Sequence, residues 1–146
     1  MNTREYVGIL KELILNGDEV SMIVVGSSMS PFLIHNRDQV YLRKIDGVLH
    51  KGDMCFFQRK NGAYVLHRIY KIVGDDYYFI GDNQVDVEGP ICRDQIFAIV
   101  FQVRRKGKMI RPGDFWWNFF YYIWLRMIPL RYVVMKLYKD VDIWNR

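Results

Sequence analysis

A chain of 146 residues with 51% hydrophobic content is long and apolar enough to bury one core, and it carries no repeat or low-complexity segment, which excludes a disordered or fibrous protein. Cys55 and Cys92 lie far apart, with no CxxC spacing and no histidine cluster beside them, so they read as reduced structural thiols rather than a zinc site or a disulfide framework. The net charge of +5 is lopsided: residues 1–103 hold 11 Lys/Arg against 13 Asp/Glu, whereas residues 104–146 hold 10 against 3.

Residues 1–6 show no basic region leading into an apolar stretch, so no secretory signal is expected, nor a transmembrane helix ahead of residue 28. Tyr6, Ile9, Leu10, Leu13 and Ile14 recur at i, i+3, i+4, i+7 and i+8, the spacing of one amphipathic helix. Asn2 with Glu5 three residues on supplies a cap, and Asn16-Gly17 an end. A single short helix leaves no room for a helix-turn-helix unit.

From Glu19 the pattern turns to β. Strands are expected over residues 20–25, 39–44, 54–59, 64–73, 77–80 and 95–105, with a tight hairpin at Asn61-Gly62 and a polar loop over 81–94. In the fourth strand Val65, His67 and Ile69 share one face, and Leu66, Arg68 and Tyr70 the other. Many short strands punctuated by turns imply a mainly β protein, an antiparallel coiled or barrel-like fold. Residues 1–18 form its helix and 19–111 its β-rich core.

After Gly107 the character changes. Pro112-Gly113-Asp114 marks a boundary, and the run FWWNFFYYIWL over residues 115–125 has no charge and is apolar all round. Eleven residues at about 1.5 Å each do not cross a hydrocarbon core of roughly 30 Å. Extension to Val134 would bury Arg126 and Arg131 and accept Pro129. Residues 112–146 therefore read as an aromatic, amphipathic C-terminal helix. Arg126, Arg131, Lys136 and Lys139 suit an anionic membrane surface, or the segment packs on its own domain or on a partner protein. The expected location is peripheral to a membrane or cytoplasmic.

The chemistry gathers around Val24-Val25-Gly26-Ser27-Ser28-Met29-Ser30-Pro31, a strand end that breaks at a glycine and presents Ser28 at a corner fixed by Pro31. A serine nucleophile needs a base, and a histidine base needs a group to fix its tautomer. His35 and His50 fall in polar loops and read as solvated. His67 lies in mid-strand between Val65 and Ile69, as a core histidine or as a base lining a cleft. The loop Gly81-Asp82-Asn83-Gln84-Val85-Asp86 offers two carboxylates, and such a loop also serves simply as an Asp/Asn turn.

Taken together, Val-x-Gly-x-Ser-Met-x-Pro, then Lys51-Gly52-Asp53, then Val65-Leu66-His67-Arg68-Ile69, then Gly81-Asp82-Asn83 with Asp86 resemble the signal peptidase I and LexA-type serine peptidases over residues 20–105. The resemblance implies that fold, Ser28 as nucleophile and His67 in the base position. A histidine there is similar to the Ser–His branch of the endoplasmic-reticulum, archaeal and sporulation-type signal peptidases. It also implies an acid, Asp86 by preference or Asp82. Ser28 N–H becomes the oxyanion donor, within a substrate-binding stretch of Gly26, Ser27 and Met29. Gly26 stands where some relatives carry a hydroxyl donor. The implied substrate is an extended leader or signal-type peptide with small side chains before the cut. No cofactor or metal is implied. The competing expectations are a non-catalytic β-module that binds extended peptides and, less favoured, nucleic-acid binding through the basic last third. Its aromatics form one block instead of being spread over a sheet, so no nucleic acid is expected.

Overall fold

The computed structural model describes residues 2–128, 130, 131, 133, 136 and 137. Helix α1 spans Thr3–Leu15, and its Asn2 cap side chain accepts from Glu5 N–H at 2.8 Å. The helix ends at Asn16, where Gly17 turns to positive φ and Asp18 N–H closes back on the Leu13 carbonyl. Val7, Leu10 and Ile14 are buried, while Tyr6, Ile9 and Leu13 face outward. The apolar stripe is thus wider than the surface that receives it.

Eight strands follow: β1 (Val20–Ile23), β2 (Gln39–Arg43), β3 (Met54–Gln58), β4 (Tyr64–Val73), β5 (Asp76–Ile80), β6 (Glu88–Cys92), β7 (Ile96–Arg105) and β8 (Lys108–Ile110). They make one antiparallel sheet in the order β1-β2-β7-β3-β4-β5-β6, with β8 added beside the end of β7. The protein is mainly antiparallel β, with a helix at each end. The expected loop over 81–94 contains a strand: β6 pairs Tyr77 with Ile91 and Phe79 with Glu88. Its Pro90 and flanking polar residues hid it from a pattern search, because a sheet-end strand needs little apolar alternation. β8 is likewise short and basic.

Two apolar clusters occupy the two faces. Leu66, Phe56 and Met54 point to the larger one, with α1, Met29, Phe32 and Leu33. Val65, Ile69, Phe57, Cys55 and Phe79 point to the smaller. The alternation follows from the two-residue period of a strand. Cys55 and Cys92 are both free thiols.

The C-terminal run begins as a short helix, α2 (Phe115–Asn118), widens to a π-helical turn at Phe119–Ile123 and tightens to a 3-10 turn at Trp124–Arg126. Trp117, Phe120, Trp124 and Leu125 are buried, the first three in the larger cluster. Phe115, Trp116, Tyr122 and Ile123 stay exposed. The segment is amphipathic, packed on its own core by one face. Among the described residues no helix is long and apolar enough to cross a membrane. Pro129, Val134 and Lys139 lie outside the described residues.

Candidate active site

The Ser28 corner is built by backbone hydrogen bonds. Val24 continues the pairing of β1, donating to the Asp38 carbonyl and accepting from Asn36 N–H at 2.8 and 2.9 Å. Gly26 then adopts φ +89, a conformation that favours glycine, and its N–H donates to His35 Nδ1 at 2.7 Å. His35 is therefore part of the corner, although its ring is exposed. Residues 28–32 form a turn in which Ser30 N–H and Oγ both donate to the Ser27 carbonyl. Among the described residues, the N–H groups of Ser27, Ser28 and Met29 make no hydrogen bond, nor does the Ser28 hydroxyl. Gly26 lacks such a free donor, because His35 holds its N–H. Met29 serves by its side chain, which is buried in the core.

The other motifs close around this corner. Asn83 N–H donates to the Ser28 carbonyl at 2.9 Å. A Cβ at position 81 would stand 2.5 Å from that carbonyl oxygen, so the close approach requires Gly81. Asp82, fully buried, accepts from Arg68 Nε and Nη2, both at 3.0 Å. Arg68 Nη1 donates to the Gly52 carbonyl at 2.9 Å. Gly52 takes φ +100 with the Tyr121 ring against it, where a Cβ would lie 2.7 Å from the ring. Tyr121 Oη donates to Asp53 at 2.9 Å, and burial beside that carboxylate pushes its own phenol pKa up. Two residues beyond the motifs complete the frame. Trp124 Nε1 donates to the Asp82 carbonyl at 2.7 Å, and Arg131 Nη1 to the carbonyls of Gly81 and Gln84 at 3.0 and 2.9 Å.

His67 sits differently. It pairs with Cys55 across β3, edge-on to Phe57 at 6.2 Å, on the face of the smaller cluster. The residue is 4% exposed, and Nδ1 is the one buried side-chain nitrogen or oxygen without a hydrogen bond among the described residues. Burial depresses its pKa to about 4; the Glu88 charge opposes that shift most strongly, followed by Asp82, and Arg59 assists it. His67 is consequently neutral near pH 7. It forms no hydrogen bond with Ser28, and none with Asp82 or Asp86. The two sites meet through one loop: Asn83 binds the Ser28 carbonyl, and the field of Asp82 reaches the ring.

Asp82 is thus committed to Arg68, and Asp86 is exposed. The carboxylate with the largest effect on His67 is Glu88, which sequence reasoning missed. It faces Phe79 across β6, and Phe79 faces Ile69, two residues from His67 on the same side of the sheet. Its signal was the hidden strand: without β6 no register places Glu88. Arg59 holds Glu88 by two bonds of 2.8 and 2.7 Å and keeps its carboxyl below the usual range.

A cleft of about 370 Å³ opens at Ser28, between residues 22–26 and residues 63–66, beside the start of α1. β1 is the terminal strand, and β5 joins β4 only from Arg68 onward. β1 pairs with β2 and residues 64–66 pair with β3, so only the second edge of each of these two strands has no strand partner among the described residues. Among the described residues no cluster of three or more His, Cys, Asp or Glu is placed to hold a metal. No family model matches the chain, and no curated protein matches it.

Proposed function

We propose that this protein is a serine peptidase of signal-peptidase type that cleaves an extended, leader-type peptide, with Ser28 as nucleophile and His67 as general base. The observation that carries the reading is the cleft: two strands, each with one edge unpaired, border it, and it ends at a serine whose hydroxyl and N–H are both free of partners among the described residues. A peptide lying in it adds a strand by main-chain hydrogen bonds, which delivers its carbonyl to Ser28. Neutral His67 accepts the Ser28 proton as Oγ attacks, and the Ser28 N–H receives the developing oxyanion. The imidazolium then protonates the leaving amine. Water, deprotonated by the same ring, hydrolyses the acyl-enzyme. His67 does not line the cleft and makes no hydrogen bond to Ser28 in the free protein, so the reading requires ring and hydroxyl to come together when a peptide binds.

Ser28→Ala and His67→Ala should each lower cleavage of a leader-like peptide by roughly a thousandfold or more, with circular dichroism unchanged. Normal turnover by either variant would sink the assignment. The apolar setting of His67 favours one competing reading, a module that binds extended peptides without cutting them. That reading predicts tight binding and no turnover by the wild-type chain. Peripheral attachment to an anionic membrane is part of the proposal. Phe115, 71% exposed, packs edge-on to exposed Trp116, and Arg126 Nη1 donates to the carbonyl of exposed Tyr122, so this segment offers aromatic and basic groups suited to headgroups. Sedimentation with phosphatidylcholine–phosphatidylglycerol vesicles tests it, and Phe115→Ser with Trp116→Ser should abolish binding.

A further inference from the structure

We infer that the outer face of the sheet, on the side away from the Ser28 cleft, binds single-stranded nucleic acid. The inference is independent of the peptidase reading, because Met22 and Val40 line the cleft from the opposite face.

Strand register assembles the face. Ser21, Tyr41 and Gln102 stand in one row across β1, β2 and β7. Ile23, Gln39, Arg104 and Met109 form the next row, which ends on β8. Their neighbours Met22, Val40, Val103 and Ile110 belong to the larger core cluster, so these two rows point away from it. Arg43 and Phe101 extend the same side beyond Tyr41. The Tyr41 and Phe101 rings meet edge to face at 6.4 Å, and the Arg43 guanidinium lies 4.9 Å from the Phe101 centroid. Arg111 joins them, donating from Nε to Gln102 Oε1 at 3.2 Å. The three arginines are exposed and the two rings half-buried.

Charge selects a polyanion. Arg43, Arg104 and Arg111 have no carboxylate within ion-pair distance among the described residues, and neither row holds an acidic side chain. The rings choose among polyanions. An acidic peptide or a lipid headgroup engages the guanidiniums alone, whereas an unpaired base stacks on a ring while its phosphates reach the flanking arginines. Paired bases in a duplex are closed to such stacking. The aromatics of the basic last third form one block, but β2 and β7 supply rings of their own, interleaved with arginines. At Arg43 and Phe101 the face runs into a groove of about 460 Å³ walled by Trp117, Tyr121 and Tyr122. That volume falls in the range of roughly 300–1,000 Å³ typical of small-ligand sites, so a splayed base has room there. Asp53, the carboxylate lining the groove, is held by Tyr121 Oη and His50 N–H.

The test measures fluorescence anisotropy of a labelled oligothymidylate, about ten nucleotides long, with the full chain at several salt concentrations. The single strand should bind more tightly than a duplex of the same length or polyglutamate. The logarithm of affinity against the logarithm of salt should have a slope of about −2, since each phosphate neutralised on a single strand contributes about −0.7. Arg104→Gln should shrink that slope by about 0.7, and adding Arg43→Gln and Arg111→Gln should abolish it. Tyr41→Ala should weaken binding at least about fivefold and leave the slope alone; Tyr41→Leu does the same if the first variant does not fold. Ser28→Ala should bind as the wild-type chain does, and so should Phe115→Ser with Trp116→Ser, the variant meant to abolish vesicle binding. No binding of the single strand, a duplex or polyglutamate bound as tightly, a slope unmoved by the arginine changes, or an affinity unmoved by the Tyr41 change would overturn the inference. Loss of oligonucleotide binding in the Ser28 or the Phe115 and Trp116 variant would overturn it as well, because the site would then lie elsewhere.

Discussion

At the Ser28 corner the chain is held by polar contacts from distant stretches: Asn83 on its carbonyl, His35 on the Gly26 N–H, and Arg68, Trp124 and Arg131 fixing the loop that carries Asn83. The His67 ring has none of this. It is positioned by strand register and by the aromatic and aliphatic side chains packed on it. Under the proposed function the difference separates two demands of one chemistry. A nucleophile must be aimed, which takes fixed backbone geometry, whereas a base must be neutral, which apolar burial provides without any partner.

The contrast breaks most violently at Asp82. Asp82→Ala leaves Arg68, 2% exposed in its side chain, as an unpaired buried cation. Losing one partner of such a pair costs about 3–5 kcal/mol, which urea unfolding measures. A fully stable variant that no longer cleaves would instead make Asp82 the catalytic acid. Gly81→Ala acts on the same contact from the other side. Its methyl meets the Ser28 carbonyl, and overpacking of this kind costs about 1–3 kcal/mol. The corner should shift, so kcat should fall more than peptide affinity.

His67 is tested by pH. Its folded pKa, about 4, lies below the unfolded value near 6.5, so the folded state excludes a proton that the unfolded chain binds. The sign follows: stability falls as pH drops from about 6.5 toward 4, by up to about 3 kcal/mol for this group. His67→Gln should remove that part of the slope between pH 7 and 5. Peptide cleavage by the wild-type chain should hold level down to about pH 5 and fall with an acid limb near 4. A limb at 6.5 would mean a solvated ring and would collapse the comparison. Trp124→Phe sits lower on the scale. It strips the Asp82 carbonyl of its donor, a loss of about 1–3 kcal/mol.

Much of this was legible before any coordinates. The cap at Asn2, the hairpin at Asn61-Gly62 and the Val65–His67–Ile69 face all depend on local spacing, and local spacing is what a sequence displays. The meeting of the four motifs is not of this kind: spacing did not show it, only the resemblance implied it, and long-range contacts bring Ser28, Gly52, Arg68 and Gly81 together. What stayed hidden is long-range. Arg131 looked like a lipid-facing cation and instead lies buried against the Gly81–Gln84 loop, 47 residues or more away along the chain. Trp117, Phe120, Trp124 and Leu125 of the aromatic run proved to be core for the same reason: no periodicity tells which surface a helix will meet.

The smallest effect should come from Asp86, and it discriminates between two carboxylates only two residues apart. Asp86 is exposed and makes no hydrogen bond or ion pair among the described residues, so Asp86→Ala should change stability by less than about 0.5 kcal/mol and leave the acid limb where it is. Glu88 is the nearest thing His67 has to a counter-charge, and it raises the ring's pKa against the pull of burial. Glu88→Gln removes that support and leaves Arg59 unopposed, so the limb should move to lower pH, with cleavage at pH 7 little altered because the ring is already neutral there. Should Asp86→Ala shift the limb and Glu88→Gln not, the ring would have to reach the 81–86 loop in the working enzyme, and the hidden strand would matter less than the motif.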